Sequence, residues 1–153
     1  MKKLHVILAL SGCVALSSFA QGGVTAKQSE VVKKTLAGYE AKAREDAALK
    51  KSKAGQFKSF TVEAGRDFYL KRRTWQTTDP TCSNCHTEDP MKAGKHSETG
   101  KPIKPLAPAA NPERFTDTAK IEKSFSEHCV DLLGRNCEAA EKGNFLTYLM
   151  SVK

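Results

Sequence analysis

The chain has 153 residues, 39% of them apolar, and a formal charge of +8, a length that suits one domain. Beyond its first residues no run approaches the roughly 20 apolar residues needed to span a bilayer. No basic patch is interleaved with aromatics, so nothing here points to nucleic acid.

Taken in chain order, the start reads as a secretion signal. Lys2 and Lys3 precede an apolar stretch from Leu4 to Leu16, and Ser18-Phe19-Ala20 supplies a small-x-small cleavage pattern. Residues 1–20 are therefore expected to leave, with a mature domain over 21–153 exported to the periplasm of a Gram-negative cell. Leu10-Ser11-Gly12-Cys13 also fits a lipoprotein box, which would tether the protein through Cys13. The apolar run continues past Cys13 and speaks against that. Four cysteines then remain, at 82, 85, 129 and 137, in a compartment that permits disulfides.

Residues 21–55 read as an N-terminal helical extension. From Glu30 to about Lys53 the chain is rich in Ala, Lys and Glu, with Val31, Val32, Leu36 and Tyr39 at helical spacing, and Gly55 interrupts. Lys27 to Lys53 holds eight basic residues against four acids. Such a face could steer an acidic partner, although a solvated helix needs no partner. A second helix is expected over Val62 to Arg72, where Gly65 would allow close approach beside Phe68, Tyr69 and Leu70. Thr74 to Thr81 is a loop. Asp89 to Pro112 carries five prolines and two glycines and reads as a long irregular loop, of the kind that wraps a ligand.

Thr116 or Asp117 then caps a helix to about Leu133, stopped by Gly134. Its stripe is Ile121, Phe125, His128 and Leu132. The last helix covers Ala139 to Val152, with Phe145, Tyr148, Leu149 and Val152 on one side. No strand pattern and no repeat is visible. The fold class is all-α, with a core small enough that a buried apolar cofactor would help hold it together.

Cys82-Ser83-Asn84-Cys85-His86 is the attachment signature of c-type haem. Two thiols with a two-residue gap between them reach two porphyrin vinyl groups, and His86 then supplies a nitrogen to the iron. A zinc site would want a second close cysteine pair, and Cys129 and Cys137 are too widely spaced. A thioredoxin-like dithiol would want a βαβ pattern. For the other axial position the candidates are Met91, His96, His128 and Met150. Met91 and His96 lie close to His86 in sequence, and Met150 is explained by packing. His128 on the inner stripe is favoured, although a lone histidine there is often only a core residue. Cys129 and Cys137 would close a short loop beside it. Arg114 could meet a haem propionate or be a plain surface arginine. A carbonyl of Pro102, Pro105 or Leu106 could accept the Nδ1 proton of His86. Trp75 could pack on the porphyrin.

The runs Gly100 to Pro108 and Pro112 to Asp117, the Cys129-x7-Cys137 spacing around Gly134-Arg135, and Leu36 to Glu40 resemble the SHP-type (sphaeroides haem protein) monohaem cytochromes. The likeness runs from about Thr35 to Val152, with extra length between Tyr39 and Gly65. It implies a class I cytochrome c-like fold in which the Gly65/Phe68/Tyr69 helix crosses the Tyr148/Leu149 helix. It also implies one covalent haem with His86 on the iron and a Cys129–Cys137 disulfide. Redox partners would be a dihaem cytochrome c and a membrane b-type cytochrome. In that family the sixth ligand is typically an asparagine that leaves on reduction, admitting oxygen or nitric oxide. Here the position is His128, and imidazole holds both iron states. The expectation therefore moves toward electron transfer with His/His ligation. The alternative is a diatomic gas site that opens when His128 detaches. A peroxidase role finds no distal acid–base set.

Overall fold

The computed structural model describes residues 23–49, 56–73 and 81–153. The expected signal and lipoprotein box, the end of the helical extension, Trp75 and most of the loop before Cys82 lie outside those residues.

Helix α1 runs Ala26–Ala48 and starts before Glu30 because Thr25 and Gln28 form a reciprocal capping box. Val32, Tyr39 and Ala43 form its buried stripe. Gln28, also buried, ties the helix start to a distant loop. Its Nε2 donates to the carbonyls of Pro108, Asn111 and Arg114 at 3.3, 3.0 and 2.9 Å.

Helix α2 (Val62–Leu70), capped by Thr61, crosses the C-terminal helix, which spans Ala139–Ser151. Between the two, Cys82–His86 form a single helical turn, α3, and Thr118–Leu133 form α4, so the C-terminal helix is α5. At the crossing, Gly65 sits against the Asn144 carbonyl and Tyr148, and a Cβ there would collide with both. Around it Tyr69, Leu146 and Leu149 are fully buried. Phe145 ties three helices together, with ring centres 6.1 Å from Phe68, 6.2 Å from Tyr69 and 5.5 Å from Phe125.

The loop from Asp89 to Pro112 departs from a strandless reading. Gly94–Lys95 (β1) pairs antiparallel with Pro102–Ile103 (β2), across a turn where Gly100 takes φ +69°. Two-residue strands carry no periodicity for a sequence pattern to show. Among the described residues no helix is long and apolar enough to cross a membrane.

Helix α4 begins at an Asp117 cap and stops at Gly134, φ 66°, in the left-handed region that glycine enters without strain. It is pinned to α5 by Glu122 and Lys142, 2.7 Å apart, and the Lys142 ammonium lies over the Tyr39 and Phe125 rings. Burial pushes the Glu122 carboxyl up, but Lys142 and the adjacent Tyr39 hydroxyl outweigh it and leave it below the usual carboxylate range. A carboxyl lowered in the folded state adds stability above its unfolded pKa and loses it as pH falls. Glu122→Gln should therefore cost about 1 kcal/mol at neutral pH. In melting curves that difference should shrink as pH falls below roughly 4.5, the ordinary carboxyl value.

Candidate haem site

Thr81 caps α3, its Oγ1 accepting from the Asn84 N–H at 3.1 Å. The single turn places Cys82, Cys85 and His86 on neighbouring positions of one short surface. Both thiols are free of disulfides; Cys82 is buried and Cys85 half-buried. Three neighbours fix this turn. The Tyr69 hydroxyl of α2 donates to the carbonyls of His86 and Thr87. Gly94 lies on the Cys85 carbonyl so closely that no side chain would fit. Ser97 brings its N–H to 3.3 Å and its hydroxyl to 3.5 Å from the Cys85 sulfur. Arg73, buried at 7% exposure, donates to the Phe68 and Lys71 carbonyls at the end of α2. Burial pushes the Cys82 thiol up, and the Arg73 guanidinium offsets part of that.

His86 is held neutral. Burial, then the charges of Arg114 and His128, lower its pKa to about 4, so at neutral pH one of its ring nitrogens keeps a lone pair with which to ligate a metal. Its Nδ1 is buried without a hydrogen-bond partner. None of the three candidate carbonyls accepts from it, and one of them is engaged elsewhere. Pro105 O accepts from Asn111 Nδ2 at 3.1 Å and Arg114 Nε at 3.3 Å.

His128 differs from the sequence reading in one respect. The buried stripe of α4 is Ile121, Phe125 and Cys129, and His128 stands beside it, exposed. One residue is about 100° of helix rotation, enough to turn the ring out of the protein core. Its Nδ1 is 2.9 Å from the Ser124 carbonyl one turn back. A carbonyl can only accept, so Nδ1 carries the proton and Nε2 keeps its lone pair. The His86 and His128 rings lie with centres 6.5 Å apart and planes tilted by 38°. A first-row metal sits about 2 Å from an imidazole nitrogen, and that nitrogen is ~1 Å from its ring centre. Two rings in line across one metal would then be centred roughly 6 Å apart. The pair fits an iron between them.

The other candidates do not share this geometry. The exposed His96 turns its Nδ1 to the N–H groups of Glu98 and Thr99 in its own turn. Met150 lies in the groove between α1 and α5 with Leu36 and Phe60, and Met91 follows Asp89, whose carboxylate takes its N–H. Arg114 is half-buried, donates to the Pro105 and Lys104 carbonyls and lies near enough to His86 to lower its pKa. That places a cation on the His86 side, as a propionate partner would need.

Cys129 and Cys137 are disulfide-bonded, with Cα atoms 5.5 Å apart. In the same turn Arg135 grips Glu141 through two hydrogen bonds of 2.8 and 2.7 Å. The bridge spans eight residues, and chain entropy over so short a loop gives it about 2.5 kcal/mol. Replacing both cysteines with serine should lower the urea midpoint by the equivalent of ~2 kcal/mol without detaching the haem.

Sequence reasoning missed Tyr69, Ser97 and Gln28 as site-positioning residues. Only Tyr69 carried a signal, as an apolar position with a hydroxyl that burial obliges to find an acceptor.

Residues 55–149 match a family described as a domain of unknown function, DUF1924. Cytochrome c'' of Methylophilus methylotrophus is 35% identical over 150 residues, covering 97% of this chain and 95% of that protein. The chain belongs to the cytochrome c''/SHP family. The c-type protein SHP of Cereibacter sphaeroides is 39% identical over 115 residues, 74% of this chain and 78% of that protein. The crystal structure of oxidised cytochrome c'' superposes with TM-score 0.68 at 32% identity, over 81% of this chain and 96% of that one. Oxidised SHP, described as an oxygen-binding cytochrome c, gives 0.64 at 35% identity over 84% and 97%. A solution structure of cytochrome c'', described as giving insights into haem-ligand detachment, gives 0.63 at 33% identity over 78% and 92%. The fold is the all-α fold of this family, and its cofactor is one covalently attached haem.

Proposed function

We propose that the protein is an exported one-electron carrier whose haem iron is held between His86 and His128. The bound haem supplies a one-electron iron couple. The chain supplies two thiols to anchor it, at Cys82 and Cys85, and two imidazoles to flank the iron. The observation that carries the reading is the His86–His128 pair, 6.5 Å between ring centres, with the His128 Nδ1 proton bound to Ser124. That hydrogen bond raises the basicity of Nε2. Two imidazoles hold both iron states, and a potential below that of a His/Met cytochrome follows. Arg114 is offered as the propionate partner. Residues 1–20 are read as the export signal and the periplasm as the destination of the 21–153 domain. Redox partners would be a dihaem cytochrome c and a membrane b-type cytochrome.

A second reading has its own observation. His128 is exposed, and its ring is held by a carbonyl of its own helix, so little packing opposes its departure. If it leaves on reduction, the protein would bind oxygen, as SHP is described as doing, or another diatomic gas such as nitric oxide. The ferrous absorption spectrum with and without carbon monoxide separates the two. A low-spin spectrum indifferent to the gas supports the carrier. A high-spin ferrous form, or prompt adduct formation, rejects it in favour of gas binding.

A further inference from the structure

Of the two cysteines that would anchor the haem, Cys82 is buried and Cys85 half-exposed, so Cys85 is the anchor nearer solvent. The β1–β2 hairpin lies on that side, with Gly94 on the Cys85 carbonyl and Ser97 on its sulfur. From residue 92 to 104 it carries Lys92, Lys95, Lys101 and Lys104, the exposed His96, and one acid, Glu98. Lys92 and Lys104 lean on Asp89 and Glu113 at 3.7 and 2.6 Å. Lys95 and Lys101 are exposed and take part in no ion pair among the described residues.

The long lysine-rich helix looks like the obvious docking face in sequence and is less so in the structure. In α1, Lys42 is paired with Glu45 and Asp46, and Arg44 with Glu40. Lys27, Lys33 and Lys34 take part in no ion pair among the described residues, so what sets the helix apart is its distance from the haem-attachment turn, not its charge. Its buried side packs against α5, Thr35 meets Thr118 at the start of α4, and Gln28 in its first turn reaches the loop beside Arg114.

We propose that the β1–β2 hairpin is the docking surface for an acidic redox protein, with Lys95 and Lys101 as its principal contacts and Cys85 beneath as the point of electron entry. This rests on the electron-carrier reading above. Cations placed at the port raise the local concentration of an acidic partner and orient it there. An anionic membrane fits the patch less well, since it would want an apolar anchor. The large exposed apolar residues among those described, Leu49 and Val130, lie outside the hairpin.

The test follows oxidation of the ferrous holoprotein in a stopped-flow instrument at low ionic strength. Hexacyanoferrate(III) serves as the anionic oxidant and tris(phenanthroline)cobalt(III) as the cationic one. Lys95→Glu/Lys101→Glu should slow the anion roughly five- to tenfold and speed the cation, both effects collapsing at high salt. Polyglutamate should inhibit the wild-type reaction with the anion and spare the variant. Lys33→Glu/Lys34→Glu on α1, an equal change of net charge, should shift either rate less than twofold. An equal or larger effect from the α1 pair would overturn the hairpin assignment. So would insensitivity to the hairpin pair, or a variant whose only defect is binding to phosphatidylglycerol vesicles. Slow exchange of the wild type with both oxidants would instead reject the electron-carrier reading itself.

Discussion

His128→Ala is expected to convert the oxidised protein from a low-spin to a predominantly high-spin absorption spectrum. The reduction potential should rise by the order of 100 mV, a modest part of the roughly 0.8 V that axial ligands span. The physical reason is the loss of the imidazole whose ring centre lies 6.5 Å from that of His86, a strong donor that favours the ferric state. Neither His96 nor Met150 is placed to take over. His96 is folded into its own turn, and Met150 lies in the groove between α1 and α5. His96→Ala should therefore leave spectrum and potential unchanged. The outcome that sinks the assignment is an unaltered ferric spectrum in His128→Ala, or a change confined to His96→Ala. Because His128 is exposed and outside the buried stripe of α4, its loss should scarcely affect folding, so the spectral change can be read cleanly.

The second large effect concerns the frame that holds α3. Alanine normally improves on glycine in a helix by about 1 kcal/mol. At Gly65 the sign should reverse. A Cβ there runs into the Asn144 carbonyl and the Tyr148 Cβ, and neither backbone nor Cβ can swing aside. The α2–α5 crossing must open, and Tyr69 moves with α2 while its hydroxyl holds the carbonyls of His86 and Thr87. Gly65→Ala should cost about 3 kcal/mol and lower the melting temperature by roughly 8–15 °C. Gly38→Ala is the matched control. Its Cβ would meet nothing within 4 Å, so it should be neutral or stabilising by up to about 1 kcal/mol. Equal stability of the two variants would show that the crossing is looser than described.

What could be read from the sequence follows from the length scale of each signal. α2, α4 and α5 span two or more turns, enough for apolar spacing and caps such as Asp117 and Gly134 to be legible. Helix α1 begins earlier than its apolar spacing suggests because of the Thr25/Gln28 capping box, a local signal that was legible and outweighed by the apolar residues starting at Val31. The β1–β2 pair was invisible, since two residues cannot alternate. At the site, the run from Cys82 to His86 announces its chemistry through local spacing. The sequence puts His128 on the apolar stripe of α4, whereas the structure sets it beside the stripe, exposed and tethered to Ser124. Of the three carbonyls expected to meet His86 Nδ1, none does, and Pro105 is instead taken by Asn111 and Arg114, a competition that only three dimensions reveal.

The most direct test of the central claim is a low-temperature electron paramagnetic resonance spectrum of the oxidised wild-type protein at neutral pH. With His86 and His128 both on the iron, the spectrum should be wholly low-spin, with the signature of two nitrogenous axial ligands. A dominant high-spin signal in the wild type, or a low-spin signal that survives His128→Ala, would contradict the account.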